Sequence, residues 1–240
     1  MLNESQMSGL MPPQKQVQHN QKIRTKILKF LSEEKYSTPT VLQELTRYKS
    51  RQGVAGVMEK LAQNGLVKKH KINALGGLNF VVWGITAKGI YAVSESDQEK
   101  NVRGFDPSKM SLLTLNHKSK IQLLKIKLME QTYITPPIDP DIWKLKIPDL
   151  ISSEHEDGEL LAWEVELTIK SQRRYQEIAD LYGSLKWRNR LKRVYWLTES
   201  ENDAARLHSI FRKIEFEDGE ASPMELHRFM PFDTAIEKLT

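Results

Sequence analysis

The sequence predicts an α+β protein of two domains. Its 240 residues are enough for two cores of ordinary domain size. Helical spacing of apolar residues dominates the first part of the chain, which then changes to short strands around Gly76-Gly77. In the second half, residues 163–170 alternate between apolar and polar and lie between helical segments. We expect a flexible tail, a first domain, a linker and a second domain over residues 1–18, 19–95, 96–109 and 110–240.

Three predicted helices and a β-hairpin follow one another in the first domain. Thr38-Pro39 is a start signal for the second helix, and Asn64-Gly65 is a stop signal for the third. Two short strands around the paired glycines indicate the hairpin, and a further helix follows. The expected elements cover residues 19–30, 38–45, 54–65, 67–72, 78–83 and 86–93. This order predicts a winged helix-turn-helix, a fold that binds DNA and also serves in dimerisation and protein docking.

Basic and polar residues are clustered where such a fold would meet DNA. The chain has a net charge of +5, which favours a polyanionic partner where the charges are local. The third helix opens with side chains that can reach phosphates and base edges, and the hairpin is rich in lysine. The candidate DNA contacts of this domain are Lys49, Ser50, Arg51, Gln52, Lys68, Lys69 and Lys71.

The composition excludes several classes of site. The chain has no cysteine, which rules out disulfides, thiolate metal ligands and a cysteine nucleophile, so any metal must be held by oxygen or imidazole. The N-terminus lacks the pattern of a secretory signal, and no apolar run has the length of a membrane span. We therefore expect a cytoplasmic protein without membrane insertion.

The alternating segment of the second domain predicts a strand with an acidic face. Residues 163–170 place Glu164, Glu166 and Lys170 on one side and the apolar side chains, beginning with Trp163, on the other. Two carboxylates on one face repel unless a cation lies near them, and Lys170 is the nearest candidate. The alternative is that these polar side chains form the solvated face of an antiparallel strand.

A third carboxylate is expected beside the two glutamates. Residues 147–151 predict a short buried strand that contains Asp149. If this strand neighbours the acidic one, Asp149, Glu164 and Glu166 form an oxygen-rich set that suits Mg²⁺ or Mn²⁺. Such a site supports phosphodiester cleavage, and Lys170 would add electrostatic stabilisation.

The spacing of these acidic residues resembles a nuclease motif. Pro148-Asp149 followed by Glu164-x-Glu166 resembles PD-(D/E)xK, with Glu166 in place of the final lysine and Lys170 as its substitute. With Arg174-Tyr175 and Tyr182, the longer pattern is similar to the replication-relaxation family and to the MobC-type relaxases of mobilisable plasmids. The resemblance covers most of the chain and implies a winged helix followed by a restriction-endonuclease-like α/β domain.

The resemblance also implies a function and its partners. It implies a metal-dependent DNA endonuclease that nicks one strand at a plasmid transfer origin, together with relaxosome proteins and a coupling protein. Asp149, Glu164 and Glu166 would bind Mg²⁺ or Mn²⁺, with Lys170 as a further catalytic residue. His117 falls where the family places a histidine, although helix capping or a surface role is the alternative.

The helix expected over residues 172–185 and the segment after it carry further candidates. Tyr175 and Tyr182 share one stripe, as core or cleft lining or as a nucleophile that would form a covalent DNA adduct. The densest basic segment, residues 186–193, includes an aromatic residue and suits contacts with unpaired DNA, with a solvated helix end as the alternative. The candidate DNA contacts here are Arg173, Arg174, Lys186, Arg188 and Arg190.

Two other functions remain open at the level of the sequence. One is a non-catalytic DNA-binding regulator of plasmid replication or copy number, in which the nuclease-like domain is degenerate. The other is an adaptor that binds proteins and has no affinity for DNA.

Overall fold

The computed structural model has a mixed α+β fold, as the sequence predicts. The chain divides into two compact units, Met1–Leu115 and Asn116–Thr240, and each contains one sheet. The structure describes residues 13–73, 79–94, 102–131, 148–153, 159–183, 191–214 and 223–239.

Unit 1 combines helices with a small antiparallel sheet. The helices are α1 (Pro13–Glu34), α2 (Pro39–Thr46), α3 (Arg51–Gln63) and α4 (Ala87–Tyr91). The strands are β1 (Tyr36–Ser37), β2 (Val67–Asn73) and β3 (Asn79–Ile85), arranged in the order β1-β3-β2. Strands β2 and β3 are the predicted pair, whereas β1 is too short to show an alternating pattern. The predicted turn at Gly76-Gly77, between β2 and β3, lies outside the described residues.

Short-range hydrogen bonds set the ends of these helices. Thr38 Oγ1 accepts the N–H of Val41 at 3.3 Å at the start of α2, which confirms the predicted start signal. Gly65 has a φ of 70° just after α3, in the left-handed region that favours glycine. Helix α1 begins at Pro13, so residues 13–18, which were expected in the tail, are helical.

A residue of the predicted linker packs on the sheet of unit 1. The N–H of Phe105 donates to the carbonyl of Ile85 at 2.8 Å, and its ring centroid lies 4.6 Å from that of Tyr36. A Cβ at Gly84 would approach Phe105 Cδ1 to 2.3 Å, so only glycine allows this contact. Phe105 therefore belongs to the packing of unit 1.

Unit 2 is built on a four-stranded mixed sheet. Its strands are β4 (Leu150–Ser153), β5 (Leu160–Glu166), β6 (Leu191–Thr198) and β7 (His227–Pro231), and they are arranged in that order. Strand β4 is antiparallel to β5, whereas β5, β6 and β7 are parallel. The helices are α5 (Leu112–Gln131), which starts at the end of unit 1, α6 (Gln172–Gly183), α7 (Glu201–Phe211), α8 (Pro223–Leu226) and α9 (Phe232–Lys238).

Helices cover both faces of this sheet, so its central strands are buried on both sides. On one face, α6 and α7 pack against the sheet around Trp196. On the other face, α5 and α9 pack around Trp163. Sandwiching between helices is typical of parallel strands, which have no solvated face.

The predicted strand over residues 163–170 is wrong in its extent. Strand β5 begins at Leu160 and ends at Glu166, where its pairing with β6 ends at Thr198. Lys170 lies beyond the strand, and its N–H bonds to the hydroxyl of Tyr175 instead of a neighbouring strand. The alternation of apolar and polar residues in the sequence therefore continues beyond Glu166, the last residue of β5 that pairs with a neighbouring strand.

Candidate functional site

Strand β5 carries the two glutamates of the predicted acidic cluster on one face. Glu164 is 5% exposed and Glu166 is 6% exposed, while Trp163 and Val165 point into the opposite core. The interpretation of these glutamates as a solvated strand face is therefore wrong, because helix α6 covers that side of the sheet. Burial of two carboxylates is costly, so their partners decide what the site can do.

Asp149 lies one residue before β4, so the prediction that it belongs to this strand is wrong, and its carboxylate reaches β5 from that position. Leu150 pairs with Trp163, which brings Asp149 beside Glu164 on the neighbouring strand. One oxygen of Asp149, Oδ2, accepts the N–H of Val165 at 2.8 Å. Since Val165 separates Glu164 from Glu166, all three carboxylates are gathered around one stretch of β5.

His117 joins this cluster from α5. Its Nε2–H donates to the carbonyl of Val165 at 2.9 Å, and the same nitrogen lies 3.4 Å from Asp149 Oδ2. Its hydrogen bond with Asp149 raises the pKa of His117, partial burial opposes this, and the charges of Asp149 and Glu166 raise it further. His117 therefore faces the acidic residues and is not a helix cap.

Lys170 supplies a cation to the cluster. Its Nζ donates to both oxygens of Glu166, at 2.6 Å and 2.5 Å. The side chain of Lys170 is 50% exposed, so its ammonium lies between the buried carboxylate and solvent. Lys170 therefore lies beside Glu166, as predicted. The loop after β5 places it there, whereas the prediction placed it on the strand itself.

Two tyrosines of α6 complete the surroundings of the glutamates. The hydroxyl of Tyr182 donates to Glu164. The hydroxyl of Tyr175 accepts the N–H of Lys170 at 2.9 Å and lies close enough to Glu166 for that carboxylate to raise the pKa of Tyr175. The sequence predicted their shared stripe but not these contacts, because helical spacing does not show what a helix faces.

The environment of both tyrosines disfavours the phenolate form. Burial raises the pKa of Tyr182 well above its ordinary value, and the nearby charges of Glu164 and Asp149 raise it further. Burial is also the main cause that raises the pKa of Tyr175. Both side chains are fully buried, so a nucleophilic attack on DNA would need a rearrangement of this face.

The donor set has the chemistry of a hard-cation site but is occupied by protein contacts. Within the ranges that the structure describes, no three His, Asp or Glu side chains are grouped as ready metal ligands. Asp149, Glu164 and Glu166 each hydrogen-bond within the protein. Lys170 donates to both oxygens of Glu166, and Asp149 Oδ2 lies against both Val165 N and His117 Nε2, so metal coordination would require an exchange of these contacts. Carboxylate oxygens are the ligands that Mg²⁺ or Mn²⁺ prefers, but the described side chains are not arranged as a ready metal site.

The candidate DNA contacts of α3 lie at its exposed first turn. Lys49, Arg51 and Gln52 are exposed. Ser50 caps the helix, since its hydroxyl oxygen accepts the N–H of Gly53 at 3.3 Å. This hydrogen bond engages the hydroxyl oxygen of Ser50, whereas the side chains of Lys49, Arg51 and Gln52 are directed to solvent.

The lysines of β2 are exposed, but one of them has partners within the unit. Lys69 forms an ion pair with Glu59 at 2.9 Å, and its ammonium lies 5.2 Å from the ring centroid of Trp83. Lys68 and Lys71 are exposed on the same strand. Lys68 and Lys71 are therefore better placed than Lys69 to contact a partner.

The basic candidates of unit 2 are only partly within the described residues. Arg173 and Arg174 are exposed in the first turn of α6, and both lie near Glu177, at 3.6 Å and 3.0 Å. The candidates in the densest basic segment, Lys186, Arg188 and Arg190, lie outside the described residues. Of the same segment, Lys192 lies in β6, where it pairs with Glu159 at 3.6 Å.

Comparison with protein-family models, curated proteins and solved structures finds no match to this chain. In the described part of the chain, no helix has both the length and the apolar character needed to cross a membrane.

Proposed function

We propose that this protein is a metal-dependent DNA endonuclease that nicks one strand. Unit 1 would be a winged helix-turn-helix domain and unit 2 a restriction-endonuclease-like domain. The observation that carries the proposal is the cluster of Asp149, Glu164 and Glu166 around one stretch of β5, with His117 and Lys170 beside it. Buried carboxylates lower stability unless they are paired, so their concentration at one strand end favours a functional role.

The cluster contains the groups that phosphodiester hydrolysis requires. Asp149, Glu164 and Glu166 would hold Mg²⁺ or Mn²⁺, which supplies an activated water and neutralises charge on the phosphate. Lys170, half exposed, would stabilise the charge that develops on the phosphate oxygens. His117, whose pKa is raised, would keep a proton available for the leaving oxygen.

Unit 1 would bind the DNA that unit 2 cuts. Its order of helices followed by a hairpin agrees with a winged helix, in which α3 would enter the major groove. Arg51 and Gln52 at the first turn of α3 would reach base edges, and Lys68 and Lys71 of β2 would contact phosphates. The setting at a plasmid transfer origin, with relaxosome and coupling proteins as partners, is proposed only from the sequence resemblance.

Relaxation of supercoiled DNA with Mg²⁺ or Mn²⁺ tests the proposal. We expect the wild type to nick a plasmid that carries a transfer origin, and Asp149→Asn and Glu164→Gln to act at least about a hundredfold more slowly. Both substitutions keep the shape of the side chain and remove its negative charge. Glu159→Gln is a matched control, since Glu159 precedes β5 and is 67% exposed. Equal rates for all four proteins would show that this cluster is not the active site.

A second candidate is a non-catalytic DNA-binding regulator of plasmid replication or copy number. The ion pair between Lys170 and Glu166 and the bond from Tyr182 to Glu164 favour it, because both occupy the carboxylates. Calorimetry with Mn²⁺ separates the two candidates: an absence of metal binding, with DNA binding intact, would favour the regulator. A protein adaptor would show no DNA affinity, whereas either candidate predicts binding that weakens steeply with salt.

A further inference from the structure

Residues 104–106 form a strap that docks on the sheet of unit 1. The N–H of Phe105 donates to the carbonyl of Ile85, the last residue of β3, at 2.8 Å. A Cβ on Gly104 would lie 3.0 Å from the same carbonyl oxygen, and a Cβ on Gly84 would lie 2.3 Å from Phe105 Cδ1. The strap therefore approaches β3 closely at two glycines, which fix where it can dock.

The ring of Phe105 covers one face of this sheet. Its centroid lies 4.6 Å from that of Tyr36 on β1 and 5.3 Å from that of His70 on β2, whose ring is nearly perpendicular to it. Tyr36 pairs with Gly84, and His70 pairs with Val82, two residues before Gly84 on β3. These residues share one face of the sheet, so the strap rests on all three strands.

His70 is the titratable group in contact with the strap. Its Nε2 atom is buried, and no hydrogen-bond partner for it lies within the described part of the chain. An imidazolium carries an N–H on both ring nitrogens, so protonation would leave a charged donor without an acceptor.

The charged groups around His70 act in both directions. Burial lowers the pKa of His70, the charge of Lys68 lowers it further, and the charge of Asp106 in the strap opposes both. Burial, with the charge of Glu34, raises the pKa of Tyr36, so Tyr36 stays neutral while His70 titrates. The docked arrangement therefore favours neutral His70.

We propose that residues 104–106 are a pH-sensitive strap, which docks on the sheet while His70 is neutral and is released when His70 takes up a proton. In the released state the imidazolium reaches water, so both of its N–H groups find acceptors. Release would detach the described residues ahead of α5 from the sheet while β2 and β3 stay paired, as a local opening of unit 1. The inference does not depend on the proposed nuclease function.

Hydrogen exchange at the amide of Phe105, followed by NMR on the full chain, tests this device. That amide bonds to Ile85, so its protection, corrected for the intrinsic effect of pH on exchange, measures docking. Because the pKa of docked His70 lies below the ordinary 6.5, docking is fully stable above that pH and weakens as the pH falls. We expect protection to fall by up to about tenfold between about pH 7.5 and about pH 5.5.

Three variants isolate the role of His70. His70→Gln keeps a polar side chain that does not titrate in this range, so protection at Phe105 should be equal at both pH values. His208→Gln is the matched control, because His208 is exposed on α7 in unit 2, and it should keep the wild-type change. Gly84→Ala places a Cβ against the Phe105 ring and should lower protection at both pH values.

The amides of the β2–β3 ladder provide an internal reference, since they should stay protected at both pH values. An equal loss of protection there would overturn the strap, because unit 1 would then open as a whole. An equal fall at Phe105 in wild type and His70→Gln would assign the pH effect to another group. Stronger protection at the lower pH would mean that the imidazolium stabilises docking against the Phe105 ring, which is the reverse of the proposal.

Discussion

The two faces of β5 have different chemical surroundings in unit 2. On one face, Trp163 and Val165 pack against α5 and α9 in an apolar core. On the other face, Glu164 and Glu166 are equally buried but lie under the tyrosine hydroxyls of α6. The two faces of β5 are therefore equally buried, but one faces an apolar core and the other faces hydroxyl groups.

The apolar face of β5 stabilises unit 2, whereas the glutamate face carries the candidate functional site. Burial of apolar area contributes about 25 cal/mol per Å², so the Trp163 face stabilises the fold directly. A buried ionised side chain contributes stability only if its partners offset the loss of hydration. The glutamate face adds stability only as far as its partners offset that loss, so substitutions on the two faces should have separable effects.

The largest expected effect on stability comes from the apolar face. Trp163→Ala should lower the free energy of unfolding by about 3–5 kcal/mol, because it opens a cavity and removes the indole N–H that donates to Ser152. Glu164→Gln should change it by less than about 1 kcal/mol, since an amide oxygen still accepts the Tyr182 hydroxyl. Urea denaturation measures both. A larger loss for Glu164→Gln would mean that the glutamate face carries stability instead.

An effect of comparable size, spread over several pH units, is expected from the buried His227 as the pH falls. Burial, with a smaller contribution from the charge of Arg228, lowers the pKa of His227 to about 3. The unfolded chain binds this proton near pH 6.5, so stability should fall between about 6.5 and about 3, by up to about 1.4 kcal/mol per pH unit. Above about pH 6.5 the contribution of His227 to stability no longer changes with pH.

Denaturation of His227→Gln at several pH values measures this contribution. Glutamine keeps an acceptor for the Trp196 indole N–H, which donates to His227 Nδ1 at 3.0 Å. The stability of the variant should depend less steeply on pH below 6.5 than that of the wild type. Identical slopes in the two proteins would show that His227 is protonated without unfolding.

The smallest expected effect belongs to His117 at the acidic site. Its pKa is raised, chiefly by the hydrogen bond with Asp149, so its protonated form stabilises the folded state. The stabilisation is complete below the ordinary value of 6.5 and is lost as the pH rises through the raised pKa. Since its side chain is 38% exposed, solvent screening keeps the contribution below about 1 kcal/mol.

Melting of metal-free His117→Gln at about pH 5.5 and about pH 8.5 checks the sign. The variant should lose more stability relative to the wild type at the lower pH than at the higher pH. The opposite order would mean that His117 is neutral in the folded protein. His117 and His227 would then no longer differ in the direction of their pKa shifts.

Local signals in the sequence were sufficient for several elements. The helix start at Thr38 depends on a side-chain cap a few residues away, and the turn at Gly65 depends on its missing Cβ. The alternation around Trp163 predicted a strand and the sides to which its residues point. These features depend on neighbours along the chain, so the sequence alone determines them.

The tertiary structure decided which of these features meet. Whether Glu164 and Glu166 face solvent or α6 depends on how the sheet is covered, and alternation is the same in both cases. The bond from Asp149 to Val165 joins two strands, and the bond from Tyr182 to Glu164 joins a helix to a strand. Such contacts follow from strand order and register, which are set by the packing of the whole unit. The sequence by itself therefore determined the residues of the acidic site, and tertiary packing decided their burial and their partners.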